Sequence, residues 1–61
     1  MYQINFIYND NIAELLYTAE FVIAGQNSRR SIYLNNRVRM AQLIDIFKEY
    51  QIEYEVEYTL D

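Results

Sequence analysis

Apolar and polar side chains alternate along residues 2 to 8, with Tyr2, Ile4, Phe6 and Tyr8 on one side and Gln3, Asn5 and Ile7 on the other. A period of two predicts a strand with one face against a core. Asn9, Asp10 and Asn11 then offer a helix cap, and Ile12, Leu15, Leu16, Ala19, Val22 and Ile23 follow at helical spacing. These positions predict a first helix, closed by Gly25 as its C′ residue. At the far end Ile52, Tyr54, Val56, Tyr58 and Leu60 alternate with Glu53, Glu55, Glu57, Thr59 and Asp61, the clearest period of two in the chain, so a final strand is expected there.

A second helix is expected between them, with Met40, Leu43, Ile44, Phe47 and Tyr50 on one side and Ile46 at the margin. Its start has two readings. Asn36 can cap a helix beginning at Arg37, although Arg37 and Arg39 then place cations where the helix dipole favours anions. Alternatively the chain makes a hairpin around Asn35-Asn36, with Leu34 facing Val38 and Ile32 facing Met40. Both terminal strands alternate, which argues against a parallel sheet covered on both faces. The expected fold is therefore a single small α+β domain over residues 1–61, a two-layer sandwich with two helices on one face of a three- or four-stranded sheet. Its order is βαββαβ with the hairpin and βαβαβ without it. The terminal strands should be neighbours, with Ile4, Phe6, Tyr54 and Val56 meeting both helices.

Composition narrows the chemistry. At 61 residues the domain can bury only about 60% of its extended surface, yet 52% hydrophobic residues, one Gly and no Pro suit a packed globule. Without His or Cys the chain lacks a side chain that titrates near neutrality, a thiolate, disulfides and the commonest transition-metal ligands. It has no glycine-rich phosphate loop, and Asp45 with Glu49 is the nearest approach to an acid–base pair. Neither catalysis, a cofactor nor a metal is expected. The apolar stretch from Ile12 to Gly25 is broken by Glu14, Thr18 and Glu20, and Met1-Tyr2-Gln3 lacks the basic start of a signal peptide. A cytoplasmic location without a membrane partner is the expectation. Heavy use of Tyr, Ile and Asn suits an AT-rich genome, such as a low-GC bacterium or one of its mobile elements.

Three surfaces could carry function. Glu53, Glu55 and Glu57, continued toward Asp61, place carboxylates roughly 6.5–7 Å apart on one strand face, a spacing that resembles the phosphates of a nucleic-acid strand. Four of the five cations, Arg29, Arg30, Arg37 and Arg39, cluster around Tyr33 within a chain of net charge -4. Guanidinium groups beside an aromatic ring are the ingredients of a nucleic-acid or anion contact. Finally, Ala13, Tyr17, Phe21 and Ala24 would form a second apolar stripe on the first helix, an expected interface for a partner or a homodimer. Together these features point to a small acidic protein-binding module that inhibits or regulates a larger host protein. Phage and mobile-element proteins aimed at restriction or CRISPR nucleases are the analogy in size and charge. The alternative is a small dimeric nucleic-acid-binding regulator using the Arg29 to Arg39 segment.

Overall fold

Two asparagines set the helix starts in the computed structural model, which describes residues 1–59. Asn9 accepts from the Asn11 N–H at 2.8 Å and opens α1, Asp10–Thr18. The Asn36 carboxamide oxygen accepts from the N–H groups of Val38 at 2.8 Å and Arg39 at 3.2 Å and opens α2, Arg37–Glu49. The hairpin is thereby excluded, and the order is βαβαβ, with β1 at Tyr2–Ile7, β2 at Arg29–Leu34 and β3 at Tyr54–Tyr58. A cap that satisfies two orphan donors outweighs the unfavourable dipole term. Arg39 also turns away from the helix end, donating through one terminal nitrogen to Gln42 and through the other to the Ala19 carbonyl at 2.7 Å.

The sheet has order β2-β1-β3, with antiparallel neighbours throughout. Directly opposed residues share a face, so the register Ile4↔Ile32 and Ile4↔Val56 puts the even positions of all three strands on the helix side. Ile4, Phe6 and Ile32 meet Ile12 and Leu16 of α1 and Leu43 and Phe47 of α2 in one buried cluster. The Phe47 ring lies 5.1 Å from Phe6 and 5.6 Å from Tyr54. Both terminal strands flank each other as expected, but the core thins toward β3. Tyr54 is half-buried, whereas Val56 is 40% exposed and does not join the core with Ile4 and Phe6.

The first helix stops a full two turns before Gly25. Its last residues form a Schellman cap, in which the Phe21 N–H reaches the Leu16 carbonyl at 2.9 Å and the Glu20 N–H reaches Tyr17 at 3.0 Å. This turn carries Phe21 back over the core, where it is 3% exposed. The chain then runs beside β2, and Ala24 exchanges both backbone hydrogen bonds with Ser31 at 2.8 and 2.9 Å. Gly25 serves this return at φ 116°, with the Arg29 carbonyl so close that an added Cβ would meet it at 2.9 Å. No helix of the described residues is long and apolar enough to cross a membrane.

Candidate functional site

Both helices occupy one face of the sheet, so the odd positions of the strands form an uncovered second face. Across it run the rows Tyr33–Gln3–Glu57 and Ser31–Asn5–Glu55, followed by Arg29 beside Ile7. Glu53, just ahead of β3, prolongs the carboxylate side and is exposed like Glu55 and Glu57. Between the carboxylates and the Arg29 side lies an open trough of about 820 Å³, bordered by Asn5, Ile7, Arg29, Ser31, Glu53 and Glu55.

The middle of this face is held by a small polar network. The Asn5 carboxamide oxygen accepts from Gln3 Nε2 at 2.9 Å and from Ser31 Oγ at 2.6 Å. The three side chains are partly buried and fix one another, giving the carboxylates a rigid floor. Ser31 Oγ thus donates to an amide rather than to a base, and no group of three or more acidic side chains lies close enough to hold a metal ion among the described residues.

Glu55 and Glu57 share the uncovered face of β3 as expected, Glu53 precedes the strand and borders the same trough, and Asp61 lies outside the described residues. The arginine segment behaves differently. Arg29 and Tyr33 lie on the uncovered sheet face, exposed. Arg30 lies on the opposite face, its guanidinium 4.3 Å from the centre of the Tyr8 ring and its Nε donating to the Asn27 carbonyl. Arg39 covers Phe21 at 4.0 Å. Arg37 is exposed at the opposite end of β2 from Arg29, and the adjoining Tyr2 hydroxyl raises its pKa above the ordinary guanidine value, so it stays cationic. A six-residue strand separates Arg29 from Arg37 by roughly 17–20 Å, so the five residues do not converge on one patch.

The apolar stripe expected on α1 does not exist as a surface. Phe21 and Ala13 are each 3% exposed, Ala24 belongs to the bridge with β2, and Tyr17 alone stands out at 55%. Counting at 100° per residue through Gly25 placed Phe21 opposite the core, but the helix ends at Thr18 and its cap reverses the chain. Glu20 at φ 68° marks the reversal, and no glycine signalled it. Asn5 and Ser31, which brace the uncovered face, were also missed, because their pairing depends on a strand order that periodicity does not encode.

No protein-family model matches the chain, and no curated protein or solved structure is significantly similar to it.

Proposed function

We propose that the protein is a small, non-catalytic binding module of the cytoplasm that inhibits or regulates a larger host protein by laying its uncovered acidic face on a basic surface. The observation that carries this reading is the row of Glu53, Glu55 and Glu57, exposed along one side of a sheet face that no other element covers. Two of the arginines are spent inside the fold, Arg30 on Tyr8 and Arg39 on Phe21 and Ala19. The acidic row therefore keeps its charge for a partner. A groove that normally receives a nucleic-acid strand offers the complementary cations, as in nucleases of restriction or CRISPR type, and a carboxylate row competes for it electrostatically.

The test is affinity capture from the native host with two baits, the wild type and a variant carrying Glu53→Gln, Glu55→Gln and Glu57→Gln. A partner held by the wild type, lost from the variant and released by salt supports the reading, since exposed charges are screened beyond about 10 Å at 0.1 M. Equal capture by both baits sinks it. A gel-shift with a labelled oligonucleotide tests the nucleic-acid-binding alternative, for which the divided arginines give little support. Retention at physiological salt would reinstate that alternative.

A further inference from the structure

The outer edge of β3 is open in a way that the outer edge of β2 is not. Met1 and Thr59 exchange hydrogen bonds at 2.9 Å in both directions, the Met1 terminal amine donating to the Thr59 carbonyl and the Thr59 N–H to that of Met1. In an antiparallel pair such bonded couples recur at every second residue, so Gln3–Glu57 and Asn5–Glu55 are the next ones. The backbone N–H and C=O groups of Tyr54, Val56 and Tyr58 therefore point away from β1, and no backbone partner meets them among the described residues. On β2 the corresponding outward groups of Ser31 are taken by Ala24.

The side chains beside this free edge are also uncovered. Val56 is 40% and Tyr58 59% exposed on the helix side, while Glu55 and Glu57 stand exposed on the other. Charge decides what can occupy the edge. A second copy paired antiparallel about Val56 would set Glu55 opposite Glu57 twice, and directly opposed like charges destabilise a strand pair. A strand that alternates cations with apolar residues meets the opposite conditions. Its cations face Glu55 and Glu57, and its apolar residues extend the Val56 and Tyr58 surface.

We propose that β3 is a docking edge for an extended, alternating cationic and apolar segment of the partner protein, which adds to the sheet as a fourth strand through the free backbone groups of Tyr54, Val56 and Tyr58. This rests on the acidic face being a binding surface and names how that surface takes its ligand. The carboxylates that repel another copy select the cationic strand, and the backbone ladder supplies contacts that a purely electrostatic encounter lacks.

The probe is a short synthetic peptide of alternating lysine and valine, titrated into the wild-type protein and followed by amide NMR and calorimetry. Binding should protect the Val56 amide from solvent exchange. N-methylation of one alternate set of peptide nitrogens should weaken binding about tenfold or more by removing ladder hydrogen bonds. The valine set is the sensitive one for an antiparallel addition and the lysine set for a parallel one, and methylation of the other set should be harmless. Val56→Pro removes an outward N–H without touching the bonds to β1 and should cause a similar loss. If this variant does not fold, the methylated peptides decide on the wild type. Equal binding of all peptides with no amide protection overturns the edge proposal while leaving an acidic surface that attracts cations. Absence of peptide binding at low salt also overturns it, and capture by the wild-type and glutamine baits then judges the functional reading separately. Self-association of the wild type through β3 would overturn the choice of occupant.

Discussion

Glu20 and Gln51 are held at φ 68° and 57°, and each stands at the C′ position of a helix. In both caps the following apolar residue returns to the core: Phe21 bonds to the Leu16 carbonyl, and the Ile52 N–H bonds to that of Phe47 at 2.8 Å. A left-handed backbone costs a residue with a Cβ roughly 1–2 kcal/mol, and glycine loses part of that advantage through its freer unfolded chain. Glu20→Gly and Gln51→Gly should each raise stability by about 0.5–1 kcal/mol, read as a higher urea midpoint at unchanged m-value. Gly25→Ala should do the reverse. Its φ of 116° disfavours any L side chain, and the Arg29 carbonyl lies 2.9 Å from the new Cβ, so a loss of about 2 kcal/mol or more is expected by the same measurement.

At the scale of elements, Phe21 ties the segment after α1 to both helices. Its ring joins the buried cluster with Leu16 and Leu43, and the Arg39 guanidinium of α2 lies on it while bonding to the last carbonyl of the α1 cap. A cation at a helix C-terminus is favoured by the dipole, so Arg39, badly placed for the start of its own helix, stabilises the end of the other. Phe21→Ala should cost about 3–5 kcal/mol, most of the stability available to a domain with about 0.05–0.15 kcal/mol per residue. Collapse of amide dispersion in the NMR spectrum at room temperature would show it. Tyr17→Ala, at an exposed position on α1, should change the stability by no more than about 0.5 kcal/mol, read from thermal melting. If the two variants melt alike, the assignment of Phe21 to the core is wrong.

For the whole molecule, the decisive quantity is where the charge sits on the sheet. One long edge is bridged at Ser31 by the Ala24 return, and the other carries alternate glutamates within a chain of net charge -4. Such charges keep an open strand from pairing with copies of itself. The wild type should therefore sediment as a monomer at millimolar concentration and low salt. Changing Glu55 and Glu57 to Gln should let the edges pair, giving concentration-dependent association in the ultracentrifuge. A variant that stays monomeric would mean that the exposed Val56 and Tyr58 side chains, rather than the carboxylates, fail to support pairing.

Local pattern alone was enough for the alternation that makes β1 and β3, a cap for α1 within Asn9 to Asn11 and the core stripe through Leu43 and Phe47, since each depends on residues within a turn or two of one another. The shared face of Glu55 and Glu57 was legible for the same reason, as strand parity assigns it without reference to a neighbour. Tertiary structure decided the rest. The end of α1 depends on Phe21 gaining more by burial than Glu20 loses in a left-handed turn, a comparison between distant groups that periodicity cannot make. The choice of Asn36 as a cap depended on Arg39 finding Ala19 and Phe21 across the fold. Which carboxylates border a trough, and which strand edge stays open, follow from the order β2-β1-β3, because neighbours in a sheet are set by chain segments meeting through space.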